Sequence, residues 1–482
     1  MFRILIAAVL LYSPVFLLAG AAPPHRLANG VWRAVLQRTD GNEIVFNFEV
    51  RDSVSRKVLY IRNAEERLLV DDITFRGDSV LIRLPFFESQ FRTVLTRDGN
   101  LEGVWLKRGA DRYQSVPFRA VHGEDFRFGA GGAGGVAGSS GAGDGLGGAG
   151  QASGDGVRSA AGASGGGGAG GVVGNGSSAG GVQSAGSAGG TRSVTGKSVV
   201  PGGRDVSGRW RAVFRASDGK DTTLRIGEFE QKGARVTGTF LDAGGDLRYL
   251  EGVVTGDSLK LSCFDGGHAY LFTARIDGDS QLSGGLFFAG ATSYETWSAD
   301  KDAGAKLPDE FSITKWKKDA GPLTFSFRDI DGKQVSLGDK RFKGKVVLVQ
   351  IMGSWCPNCM DETRFLSGFY NEYHDKGVEI VGLAYERSTD FARSQNSLRS
   401  FQQRFQVKYP MLITGVSVGD PARTEKTLPQ LEKIQNFPTT IFLNRKGEIE
   451  KIHTGFSGPG TGVHYEEQQK EFYETVNGLL GE

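Results

Sequence analysis

"KVVLVQIMGSWCPNCMDETRFLSGFY", residues 345–370, joins an apolar run to two cysteines spaced as CxxC and then to an amphipathic stretch. The run "KVVLVQIM" (345–352) is nearly continuous, the pattern of a strand buried between two layers. The cysteines therefore fall where a strand passes into a helix. The first N–H groups of a helix have no intrahelical partner and its dipole favours an anion, so a thiolate at Cys356 is stabilised there. Cys359, one turn later, is expected on the same face, deeper and within disulfide reach. Such a pair can attack and resolve a mixed disulfide.

Working outward, "VEIVGLAY" (378–385) reads as a second strand and "FARSQNSLRSFQQRF" (391–405) as a second helix. "YPMLIT" (409–414) reads as a short strand. "NFPTTIFLNRKGEIEKIHTGF" (436–456) reads as a hairpin turned at Arg445-Lys446-Gly447, followed by a helix from Tyr465 onward. Residues 322–482 are thus an α/β layered domain, reached through a linker at 303–321.

Four parts of this region carry a resemblance: Trp355-Cys356-Pro357-Asn358-Cys359, Glu362, Phe437-Pro438-Thr439-Thr440 and "GFSGPGTG" (455–462). Together they resemble the thioredoxin fold, and more narrowly the exported TlpA/ResA-like thiol–disulfide oxidoreductases. The resemblance implies that Cys356 attacks a substrate disulfide, that Cys359 resolves it, and that Glu362 tunes the thiols and moves protons. It implies a cis Phe437–Pro438 peptide presenting backbone to an extended substrate, with Trp355, Pro357 and Thr439 beside it. Its partners would be a disulfide-containing protein substrate and an electron donor from the membrane or another thioredoxin-like protein. No organic cofactor is implied beyond the Cys356–Cys359 disulfide itself. One departure stands out: cytoplasmic thioredoxin carries a buried Asp where this chain has Gln350, which leaves Glu362 or water as the proton route. The plainer reading of Asp361 and Glu362 is that they complement the helix dipole.

Other chemistries fit less well. Zinc sites need about four ligands, and one CxxC supplies two. His374, His453 and His464 show no ligand spacing, and His453 reads as an exposed strand residue, so no metal is expected. A structural CxxC disulfide closes too short a loop to constrain the unfolded chain much. Lys+Arg 57 against Asp+Glu 55 gives a net charge of +2, which does not point to nucleic acid.

The rest of the chain is of another kind. "MFRILIAAVLLYSPVFLLAGAAPPH" orders basic, apolar and small residues as an export signal does, with cleavage expected after Ala21 or Ala22, so signal 1–21 directs the chain to a periplasmic or cell-envelope location. Residues 128–204 are mostly Gly, Ala and Ser, a composition that reads as a flexible linker with a mean span of roughly 45–50 Å. The flanking segments match: "GVWRAVLQRTDG" (30–41) with "GRWRAVFRASDG" (208–219), Trp32 and Trp210 being 178 positions apart. "RGDSVLIRL" (76–84) then matches "TGDSLKLSC" (255–263). The turns at Gly99 and Gly278 continue the series, as do Tyr113 and Tyr294. Residues 26–127 and 205–302 are read as two copies of one all-β domain, a sandwich or small barrel. Trp32, Trp210 and Cys263 are expected in their cores, and nothing names a ligand for either copy.

The chain is therefore expected to be an exported disulfide reductase. The alternative is a periplasmic or surface binding protein whose β domains capture a partner, with the thioredoxin-like domain as an accessory.

Overall fold

A computed structural model describes residues 27–54, 56–84, 87–109, 112–129 and 204–481. The expected export signal and all but the ends of the 128–204 segment lie outside the described residues. Among the described residues, no helix is long and apolar enough to cross a membrane.

The alternating segments ahead of the cysteines fold into two barrel-like antiparallel sheets of nine strands each. In the first unit, from strand Gly30–Gln37 to strand Tyr113–His122, the spatial order is fourth, third, second, first, ninth, eighth, seventh, sixth, fifth. The second unit, from Gly208–Ala216 to Ser293–Lys301, repeats this path with one change. Its fourth strand is only Gly245–Asp246, which leaves one edge of the third strand (Arg235–Asp242) free to pair with the fifth (Leu250–Thr255). Because the third strand also pairs with the second, Thr222–Lys232, the second unit closes into a barrel.

Trp32 and Trp210 are fully buried at matching places. Each indole N–H donates to the carbonyl four residues back, Ala28 (3.1 Å) and Val206 (2.8 Å), which gives a buried indole the partner it requires. The second barrel is filled by aromatic rings, among them Phe272 against Phe287 at 4.4 Å and Phe214 against Trp297 at 5.5 Å. Cys263 is buried in the same core, as expected. The units also share surface. Phe264 of the second enters the core of the first, 4.2 Å from Phe46, while the Asn63 amide bonds both its carbonyl (2.8 Å) and its N–H (3.2 Å).

The C-terminal sheet has seven strands. Its centre, Val346–Met352, is buried throughout and runs parallel to Val378–Ala384, with helix α1 (Pro357–Tyr373) as the crossover. Helix α2 (Phe391–Phe405) leads to Met411–Ile413, also parallel. Asp390 caps α2 by accepting from the Arg393 N–H, and the helix ends at Gln406 in the left-handed region. After the short α3 (Arg423–Thr427), the hairpin Thr439–Leu443 and Ile449–Thr454 joins the other side of the central strand antiparallel, and α4 (Val463–Gly481) closes the layer. The far edge is a hairpin of Ser326–Asp329 and Gln334–Ser336, strands too short for a periodic pattern to reveal.

Two expectations change. Residues 303–321 do not hang free as a linker: Trp316 bridges to Leu431, and the Lys317 N–H bonds Gln430 O at 2.9 Å. Their apolar side chains, Phe311 and Trp316, supply the reason, since Phe311 packs 5.2 Å from His453. His453 itself is buried, not exposed, because its strand lies under α4, with the Phe472 ring 5.7 Å away.

Candidate active site

Cys356 is the N-cap of α1, in extended backbone, and its Sγ accepts the Cys359 N–H at 3.3 Å. Pro357 occupies the first helical turn, where a missing N–H costs nothing. The helix thus begins on sulfur, with its positive end against that atom. The thiol of Cys356 also donates to Phe437 O at 3.5 Å, and the Phe437–Pro438 peptide is cis, as the resemblance implied. Both cysteines are free thiols. Burial and the neighbouring Cys356 hold the Cys359 thiol well above the usual range, so it keeps its proton until a base or the mixed disulfide draws it away.

Glu362 lies beneath the pair and is fully buried. Thr440 Oγ1 and Gln350 Nε2 each donate to its carboxylate at 2.7 Å, and Gln350 Oε1 accepts from the Tyr409 hydroxyl at 3.3 Å. Burial outweighs these bonds and pushes Glu362 up to about 7, where a carboxyl exchanges protons near neutrality. Gln350 is therefore a donor to the acid and not a proton carrier. Asp361, one residue earlier, turns the other way to an arginine of the second β unit.

The remaining predicted residues surround the thiols unevenly. Trp355 donates Nε1–H to Tyr385 O (2.8 Å) and meets the Phe437 ring edge-on at 5.5 Å. Pro438 is buried, and its carbonyl accepts from the Gly455 N–H at 2.8 Å. Thr439 is also buried, its hydroxyl is taken by Asn436 O (2.9 Å), and its backbone lies in the sheet between Ile351 and Thr454.

Cys356 is only 4 % exposed, and the second β unit reaches the edge of its site, where a Cβ on Gly244 would lie 3.8 Å from the Phe437 carbonyl that the thiol meets. The turn Ala243-Gly244-Gly245 of the second unit lies between α1 and the "GFSGPGTG" segment. Gly244 O accepts from Asn358 Nδ2 (3.0 Å) and Asp246 from the Gly458 N–H (2.7 Å). Gly245, at φ +129°, must be glycine: a Cβ there would collide with Phe456 O and the Asn358 amide. Beneath the turn, Arg248 is 7 % exposed and pairs with Asp361 of α1 and, at 2.6 Å, with Glu66 of the first unit. One guanidinium thus ties all three units together next to the dithiol.

Sequence reading missed these docking residues, and also Glu386, which accepts from Ser354 N (2.8 Å) and Oγ (2.7 Å) beside Trp355. A signal for Glu386 existed: charged residues directly after a buried parallel strand lie at the carboxyl edge where α/β sites form. The fold also gathers Glu310, His453 and Glu471, with ligand atoms within 4.8 Å of one another. Two contacts disfavour a metal there. Gln468 Oε1 is bound by Ser457 N, so its amide donates to His453 Nε2 (2.7 Å) and leaves the ring proton on Nδ1, while Lys451 already pairs with Glu471.

The C-terminal region is similar in sequence to known proteins. Residues 303–468 match the Redoxin family. The thiol-disulfide oxidoreductase ResA of Halalkalibacterium halodurans is 29% identical over 134 residues, 28% of this chain and 66% of that protein. ResA of Bacillus subtilis is 26% identical over 131 residues, 27% of this chain and 64% of that protein. The chain spans about two thirds of the length of the curated relatives it matches. Among solved structures, StoA from Bacillus subtilis is 24% identical with a TM-score of 0.23, covering 31% of this chain and 97% of that one. Residues 303–468 are a Redoxin domain at the C-terminal end of the chain, similar in sequence to the ResA thiol-disulfide oxidoreductases.

Proposed function

We propose that the chain is an exported thiol–disulfide oxidoreductase that reduces disulfides of proteins through Cys356 and Cys359. The observation that carries this reading is the cap of α1: Cys356 Sγ on the Cys359 N–H, facing the Pro438 turn and above Glu362. The Cys356 thiolate attacks one sulfur of the substrate disulfide, a mixed disulfide forms, and the other substrate sulfur leaves as a thiolate. Cys359 loses its proton, to Glu362 or to water, and attacks Cys356 Sγ. The second substrate thiol is released and a Cys356–Cys359 disulfide remains. Two electrons have passed to the substrate, and a membrane or thioredoxin-like donor returns them.

Export is supported by the basic, apolar and small order of the first residues. Residues 26–127 and 205–302 are read as duplicates, with their paired tryptophans as the support, and their role is to cover and present the dithiol. The test is trapping: Cys359→Ser is expected to accumulate a covalent adduct with a disulfide-bonded protein, and Cys356→Ser none. An adduct that forms equally through both variants would contradict the assignment of roles.

A further inference from the structure

A cavity of about 230 Å³ opens beside Trp355, between the first β unit and α2. Its wall carries two carboxylates that are already engaged. Glu88 is paired with Arg393 (2.7 Å), and Glu386 is held by Ser354. Three cations in the same wall are not so engaged. Among the described residues Lys107, Arg108 and Arg387 have no carboxylate within 4.0 Å. Lys107 reaches only the Gly267 carbonyl, and Arg108 leaves its buried Nε without a partner. Arg387 lies 5.1 Å over the Trp355 ring, near enough to Cys356 that the two charges interact.

All three are part-buried, and only Glu386 and Glu88 near Arg387 and Asp265 near Lys107 offset their charge, none of them as a close ion pair. Such cations are costly to hold, and planar guanidinium groups suit a two-pronged carboxylate. Burial and the adjacent Arg387 pull the Lys107 ammonium down to about 7, a cost that a bound anion would relieve. The volume is below the ~300–1,000 Å³ of sites for whole small molecules, which suits a single carboxylate-bearing group.

We propose that this cavity is an anion subsite in which Arg387, Lys107 and Arg108 receive a carboxylate carried next to the scissile bond of the disulfide substrate. The proposal rests on the dithiol reading above and adds a preference for acidic disulfides. Arg387 is then a specificity residue, positioned on Trp355 one residue from the attacking sulfur.

The test compares second-order rates of the reduced full chain with dithiobis-nitrobenzoate, which bears carboxylates, and dithiodipyridine, which bears none. Arg387→Gln is expected to lower the ratio of the two rates about tenfold, Arg387→Lys to recover part of it, and Lys107→Gln to lower it by a smaller factor. Cystine-bridged peptides flanked by Glu or by Gln extend the comparison, and a Glu preference lost in Arg387→Gln locates the carboxylate on a peptide. If both reagents react through Cys356 but neither variant moves the ratio, the subsite is overturned and the dithiol reading stands. If neither reagent reacts in the parent chain, the dithiol reading itself fails.

Discussion

The two β units follow the same path through nine strands and differ most in the fourth, and that strand decides what each does near the dithiol. In the first unit it is Glu66–Val70, an ordinary hairpin partner of Arg56–Asn63. In the second it shrinks to Gly245–Asp246. Shortening it has two consequences: the third strand closes the barrel, and the turn before it becomes small enough to pack against Asn358 and Phe456 beside the dithiol. The first unit answers from the opposite side with Glu66, which meets Arg248. A repeated fold has thus been fitted to a third domain at its one divergent strand.

That comparison can be broken most strongly through the paired tryptophans. Trp32→Ala and Trp210→Ala each remove a fully buried indole and should cost about 3–5 kcal/mol in chemical denaturation. A much smaller loss at one of them would show that the units are not built alike.

Arg248→Ala probes the junction instead of the cores. It removes the cation that Glu66 and Asp361 share, although Asp361 keeps Arg364 at 3.4 Å, at a cost of about 3 kcal/mol, and should raise the rate of Cys356 alkylation by at least an order of magnitude. Unchanged alkylation would mean that the Gly244 turn does not guard the thiol. Gly245→Val, whose side chain has no room, should expose Cys356 in the same way with less effect on overall stability.

Glu362→Gln should slow resolution of the mixed disulfide by about 10²-fold at neutral pH and remove an inflection near pH 7 from the rate profile. The sign for stability follows from the raised carboxyl. The folded chain holds this proton more tightly than the unfolded chain, so its contribution is full below the unfolded value of about 4.3. It is lost as pH rises through about 7. Denaturant midpoints of the parent chain should fall across that window, and those of the variant should fall less. The smallest effect belongs to Arg119→Ala in the first unit, whose exposed pair with Glu43 should be worth under about 0.5 kcal/mol and leave the thiols untouched.

How much of this was legible in the sequence depends on how far apart the contacting residues lie. The Redoxin domain was legible because its signals are local. The apolar central strand, the cysteines at its exit and the proline opening Thr439–Leu443 each sit within a few residues of the feature they predict. The second helix was matched to the residue, Phe391–Phe405, because its apolar positions recur at helical spacing. The docking of the second unit beside Cys356 was not legible. Asn358 and Gly244 are 114 positions apart, and glycines carry no side chain to announce a docking surface. Arg248 is one arginine among many until Asp361 and Glu66 are brought to it. His453 was misread because a strand pattern does not reveal which face a later helix will cover.

The central claim is that Cys356 and Cys359 form a reversible couple beside this junction. It is tested most directly by equilibrating the full chain against a glutathione or dithiothreitol series, with Cys356→Ser as control. The account predicts one two-electron transition, absent from the control, near the thioredoxin value of about −270 mV. A transition near −120 mV would contradict the reductase direction, and no transition at all would contradict the account itself.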